Sequence, residues 1–205
     1  MGFRYSLWII FIGFGVIASG CHDTGEGRYE PLSIVSAEGR DGVAYLNGSI
    51  KTNTPERVQE FLINHPEIHT LIFVDMPGSD DDEANIKLAY WIYEKGYNTA
   101  LLDNSIIESG AVDLFLAGRK RIGACEAEVG VHSWWDTAGY GPRDIPEDHV
   151  DHEIFLEYYE KIGIDAEFYW FTVKAAPPEG MLYMSADQQI DYGVLTEPLN
   201  CKKET

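Results

Sequence analysis

Two short stretches contain the residues whose types and spacing could do chemistry. In IIESGAVDLFLAGRKR, residues 106–121, an apolar stretch reaches Ser109, Gly110 and Ala111 and passes into a helical pattern. Residues this small bury almost nothing, so their place at a helix entrance points to close approach by another element or by a substrate. A serine hydroxyl is a weak nucleophile until a base takes its proton, and a histidine within hydrogen-bond reach does that near neutral pH. His132 closes the apolar run EVGVH, residues 128–132, at what reads as the end of a strand. The plainer readings are a helix N-cap for Ser109 and a hydrogen-bonded core residue for His132.

Two polar clusters suggest metal sites but have simpler explanations. Asp80, Asp81, Asp82 and Glu83 fall in the first turn of a helix, where the helix dipole favours acids. His149 and His152, flanked by Asp148, Asp151 and Glu153, sit three apart on a helical stretch without a complete zinc ligand set, so a solvated helix is expected. No metal and no cofactor is expected. Trp134 and Trp135 follow His132 directly and either line a hydrophobic pocket or seal the core.

The elements that must position these residues alternate along the chain. SIVSA (33–37) and GVAYLNGSI (42–50) read as paired strands, and Thr54 caps a helix with Pro55 at its first position. LIFVD (71–75) reads as a buried strand, with a helix opening at Ser79 and running through Tyr93. TALL (99–102) is the next strand, followed by a few polar residues and the helix from Ser109. KRIGA and EVGVH are short strands, helical patterns cover about 146–162 and 164–174, and a last helix at 185–191 leads into GVLT. This alternation predicts an α/β fold with a mainly parallel sheet and helices packed on it.

VDMPGSDDD (74–82), the ESGA elbow (108–111), GRKRIGACEAEVGVH (118–132) and SADQQIDYGVLT (185–196) occur in an order that resembles the proteolytic subunit family of the Clp proteases, within the crotonase superfamily, and its extracytoplasmic relatives. The resemblance runs from about Leu46 to Thr196 and implies a crotonase/Clp-protease-like fold with a helical handle segment. It further implies Ser109 as nucleophile, His132 as general base, and an oxyanion hole made by the backbone amides of Gly110 and of Gly78 or Ser79. Ser79 stands where the family has a second glycine. The third triad member is expected at Glu179, with Asp136, Asp187 or a dyad supported by backbone carbonyls as alternatives. The aromatic segment YYEKIGIDAEFYWF (158–171) lies near the family's handle, which implies a homo-oligomer surface; a core-facing helix pair explains it as well.

The ends of the chain bear on its location. Arg4 precedes the apolar run LWIIFIGFGVIA (7–18), which is short for a membrane span and has the length of a signal-peptide core. Ser19 and Gly20 before Cys21 resemble a bacterial lipoprotein processing site, with Cys21 acylated and Ala18 where leucine is usual. The expected organisation is therefore a signal peptide (1–20), a lipidated polar tether (21–30) and one domain (31–201) in the cell envelope, outside the cytoplasm. Cys125 and Cys201 then remain as a pair that could form a disulfide in an oxidising compartment. The formal charge of −19 over 205 residues argues against nucleic acid or an anionic membrane surface as partner.

Three functions compete on these grounds. One is a lipid-anchored serine hydrolase acting on peptides. Another is an acyl-CoA enzyme of crotonase type, which the export signal disfavours because CoA esters are cytoplasmic. The third is a binding or assembly protein that keeps the fold without the chemistry.

Overall fold

The computed structural model describes residues 26–135, 139–199 and 201. The signal segment, Cys21, the first part of the tether and Asp136 lie outside the described residues.

The strands are β1 (Ser33–Ser36), β2 (Val43–Asn47), β3 (Thr70–Met76), β4 (Asn98–Glu108), β5 (Arg121–Ile122), β6 (Glu128–Val131) and β7 (Leu182–Tyr183). They form one sheet in the order β1-β2-β3-β4-β6-β7, with β5 paired to β4 off that path. The pairs β2–β3, β3–β4, β4–β5 and β4–β6 are parallel, and β1 and β7 are antiparallel edges. The sheet is thus mainly parallel, as the alternating pattern predicts. The helices are α1 (Thr54–Asn64), α2 (Asp82–Lys95), α3 (Gly110–Leu116), α4 (Val150–Ile162), α5 (Ala166–Ala175) and α6 (Ala186–Asp191). α2 packs against α1, α3 and α4, and α4 packs against α5.

The polar residues after TALL do not leave the sheet, contrary to expectation. β4 continues to Glu108 through an irregularity in its pairing with β3, where Leu101 faces Phe73 and Ile106 faces Asp75. Buried Ser105 holds this kink, its hydroxyl donating to Phe73 O at 2.5 Å and accepting from Leu102 N at 2.8 Å. The kink lets β4 change neighbours. Thr99 and Ala100 pair with β5, whereas Ile106 to Glu108 pair with β6.

Other expectations shift in detail. α2 is capped by Asp81, whose side chain accepts from Ala84 N, so the helix opens later than Ser79. α1 begins at Thr54, whose hydroxyl accepts from Lys51 N instead of capping from the position before. Val194 to Thr196 form no strand; the segment is held to β5 by Arg121 N donating to the Thr196 hydroxyl. The end of the stretch read as a tether folds onto the domain, with a 3-10 turn at Glu26–Tyr29 and Glu30 O accepting from Ser49 N. His152 is fully buried among Trp134, Tyr169 and Trp170, so the expected solvated helix is overturned. Tyr158, Tyr159, Phe168 and Tyr169 are buried too, which makes the aromatic segment a core-facing pair.

Cys125 and Cys201, 76 residues apart, are joined in a disulfide that pins the C-terminal segment beside β5 and β6. Closing so long a loop restricts the unfolded chain strongly. The double variant Cys125→Ala/Cys201→Ala is expected to lose about 2–4 kcal/mol of stability in urea denaturation. An unchanged midpoint would mean that the bridge restrains nothing.

Candidate active site

The site is built where three neighbouring parallel strands end. Met76 faces Ile107 and Glu108 faces Gly130, so the residues just beyond β3, β4 and β6 emerge at one edge of the sheet. That edge, the carboxyl end of a parallel sheet, is where open α/β folds bind ligands. Gly78, Ser109 and His132 are those residues, and Ser109 N donates to Gly130 O at 3.0 Å, continuing the ladder by one step.

Ser109 turns the chain from β4 into α3 with φ 54° and ψ −134°. It is the one non-glycine residue with positive φ among the described residues. For a residue with a Cβ, such a conformation costs about 1–3 kcal/mol and persists only where its surroundings enforce it. Its side chain makes no capping hydrogen bond to the helix, so the plain N-cap reading does not account for it.

The neighbouring turn supports close approach. Gly78 has φ 123°, and a Cβ there would lie 2.8 Å from Ser109 Cβ and 3.2 Å from Glu108 O. Ser79 needs no positive φ, so a serine fits where the resembling family has its second glycine. Ile50 N donates to Gly78 O and Ile50 O accepts from Asp80 N, which turns the Ser79 amide to the opposite side, toward β4. The Ser79 amide has no acceptor among the described residues, and the Gly110 amide, first in its helix, has no intrahelical one. A Cβ on Gly110 would collide with Ser79 Oγ, so only glycine fits there.

His132 donates from Nδ1 to the carbonyl oxygen of Pro178 at 2.9 Å. A carbonyl only accepts, so this bond places the proton on Nδ1 and leaves the neutral ring's lone pair on Nε2. Glu179, the expected orienting acid, is exposed and makes no bond to the ring; the backbone oxygen of the residue before it occupies that role. Asp187 is exposed on the first turn of α6, away from any bond to His132. No hydrogen bond joins Ser109 Oγ to His132. Both residues line the same two cavities, and Ser–base contacts commonly tighten only when substrate is present.

One cavity, about 270 Å³, is the wider groove, lined by Ser79, Ser109, His132, Trp135 and Pro178 among others. The other, about 40 Å³, lies behind Ser109 and is walled by Asp82, Asp113, Trp134, Tyr159 and Tyr169. Sequence reasoning missed its two acids. The helix dipole alone accounts for Asp82 in the sequence, yet its carboxyl accepts from the Ser79 hydroxyl at 2.6 Å. Burial raises the Asp82 carboxyl above its ordinary range, against the Ser79 bond and the nearby His132. Asp113 follows Ser109 by four residues, one turn along α3, and accepts from the Tyr159 hydroxyl. Burial pushes Asp113 up to about 7, the Tyr159 bond opposing and the Asp82 charge adding. A lone acid in the apolar run AVDLFLAG was the available signal.

No family model and no curated protein matches the sequence. Solved structures do match. The catalytic domain of ClpP protease from Plasmodium falciparum superimposes with a TM-score of 0.52 at 14% identity, over 80% of this chain and 86% of that one. An enoyl-CoA hydratase/isomerase family protein from Silicibacter pomeroyi gives 0.51 at 12% identity, over 82% and 75%. The chain has the Clp-protease/crotonase fold. The membrane-bound stomatin-specific protease 1510-N, solved with a substrate peptide, shares this fold with a TM-score of 0.50 at 15% identity, over 72% and 71%.

Within this fold the Asp113 carboxyl has a measurable consequence. It titrates near 3.8 when unperturbed and near 7 in the fold, so the native state holds the extra proton between those values. Stability from this group is therefore complete below about pH 4 and falls as pH rises through about 7. Asp113→Asn is expected to flatten that decline in urea midpoints measured between about pH 5 and about pH 8. A variant with the wild-type slope would show that Asp113 does not carry it.

Proposed function

We propose that this chain is an extracytoplasmic serine hydrolase acting on peptides, anchored through a lipid on Cys21. The observation that carries the reading is the backbone of Ser109: a strained, non-glycine turn whose hydroxyl caps nothing, beside a histidine whose Nδ1–H is already engaged. Strain of this kind at a strand-to-helix turn is how a nucleophilic serine is presented.

In this reading Ser109 Oγ attacks the substrate carbonyl while His132 Nε2 takes its proton. The Gly110 and Ser79 amides, with Gly78 supplying the turn's conformation, receive the oxyanion. His132 then returns the proton to the leaving amine as the acyl-serine forms. Water, deprotonated by the same nitrogen, releases the acid and restores the hydroxyl. Pro178 O keeps the ring in the tautomer that both steps require.

The Cys125–Cys201 disulfide supports a domain in an oxidising compartment, in keeping with the export signal and Cys21. The enoyl-CoA hydratase neighbour shares the fold, but CoA esters are not found where an exported domain would act. A second reading is a binding protein that retains the fold. The lack of a Ser109–His132 hydrogen bond and the carbonyl in place of an acid favour it.

Fluorophosphonate labelling separates the two. The hydrolase is expected to label at Ser109, with Ser109→Ala unlabelled and His132→Ala slowed by at least about a thousandfold. Labelling that is absent, or that survives Ser109→Ala, leaves the binding reading. For the anchor, palmitate incorporation in cells is expected to disappear in Cys21→Ala; retention of the label would place the lipid elsewhere.

A further inference from the structure

Glu108 is a buried charge immediately before Ser109, its side chain 8% exposed. Buried carboxylates need partners, and this one has two. Arg28 Nη2 lies 2.8 Å from Glu108 Oε2, and the Tyr183 hydroxyl donates to Glu108 Oε1 at 2.5 Å. The bond to Glu108 pushes the Tyr183 hydroxyl up to about 12. Arg28 Nε also donates to Asp75 Oδ1 at 2.6 Å.

Each partner belongs to a segment that carries one part of the site. Asp75 lies in β3, three residues before Gly78. Glu108 is the last residue of β4, and Ser109 follows it. Tyr183 is in β7, five residues after Pro178, whose carbonyl holds His132. The cation joining β3 to β4 comes from outside the sheet: Arg28 sits in the 3-10 turn at Glu26–Tyr29, seven residues after Cys21.

We infer that Arg28 is a positioning residue that ties the turn at Gly78, the elbow at Ser109 and, through Glu108 and Tyr183, the Pro178 segment into one geometry, so that the docked N-terminal segment sets the reactivity of Ser109. The inference rests on the hydrolase reading for its chemical readout. Without Arg28, Glu108 becomes an uncompensated buried charge, a more disruptive state than a neutral pair. Displacements of an ångström at such a site slow chemistry severely.

Fluorophosphonate labelling rate and native-state hydrogen exchange should be measured together on the full chain. Arg28→Ala is expected to slow labelling at Ser109 by at least about tenfold. It should also speed exchange in residues 75–80, 104–112 and 176–184 together. Arg28→Lys should restore labelling to within about threefold because it returns a cation between Asp75 and Glu108, whereas Glu108→Gln in the Arg28→Ala background should leave labelling slow, because it removes the unpaired charge without rejoining β3 to β4. Recovery of labelling in that double variant would mean that the unpaired charge, and not a lost tie between the strands, slows Ser109, and would overturn the positioning role. Wild-type labelling and exchange in Arg28→Ala overturn the inference. If the wild type does not label at all, the hydrolase reading falls, while concerted exchange in the three segments still decides whether the clamp exists.

Discussion

Ile106, Ile107 and Glu108 pair in parallel with Glu128, Val129 and Gly130, and the arrangement of the site depends on that register. Parallel strands held this way end together. The chain must then leave β4 beside the end of β6, and it has one residue in which to turn into α3. Ser109 absorbs that turn with a positive φ. The strain, about 1–3 kcal/mol, is opposed by the burial of α3. Val112, Leu114, Phe115 and Leu116 of that helix are buried, and each such side chain contributes about 1.5–3 kcal/mol. Relaxing Ser109 would require moving α3 out of the core. Buried Asn85 holds the same junction from α2, donating to Gly110 O at 2.7 Å.

The histidine is oriented by a neutral group. A carboxylate would fix the tautomer and also stabilise an imidazolium, whereas the Pro178 carbonyl fixes the tautomer by hydrogen bonding and would stabilise an imidazolium only through its dipole. Negative charge near the ring comes instead from Asp82, whose carboxyl is close enough to act electrostatically on His132. The proposed base would therefore draw orientation from one element and charge from another. Ser79 links the two halves: its hydroxyl engages Asp82, and its amide is one of the proposed oxyanion donors.

Much of this was legible in the sequence. Hydrophobic runs separated by amphipathic stretches marked the parallel sheet, and the order of the PGS turn, ESGA elbow and terminal histidine marked which strand ends converge. The misses have physical causes. Asp103, Asn104 and Ser105 looked like a loop because polar residues rarely continue a strand, yet Ser105 makes the kink by satisfying backbone groups that the irregular pairing leaves open. Glu179 was one residue from the group that holds the ring, because backbone carbonyls leave no residue signature. His152 belongs to a chain running from Trp134 Nε1 to the Tyr169 hydroxyl and on to His152 Nδ1, contacts that join α4, α5 and the loop after β6 and that no local pattern encodes. The ion pairs of Arg28 escaped for the same reason: a single arginine in a polar stretch reads as tether until its partners are known.

The two carboxyls behind Ser109 present an electrostatic conflict for any acyl-transfer site. An oxyanion developing there would be repelled by full charges on Asp82 and Asp113, which wall the same small cavity. The fold reduces the conflict at Asp113, which it keeps in surroundings that favour the proton. Asp113 is packed against Tyr159 within the aromatic wall of α4 and α5, and holds its proton up to about 7. Burial also raises the Asp82 carboxyl above its ordinary range, although its place in the first turn of α2 would by itself favour the charge. Burial outweighs the helix dipole here because desolvation of a carboxylate is the larger effect. The aromatic segment, which by sequence suits an assembly surface and a core equally, thus acquires a chemical consequence: by excluding water from Asp113 it keeps negative charge away from the place where the proposed reaction would generate it.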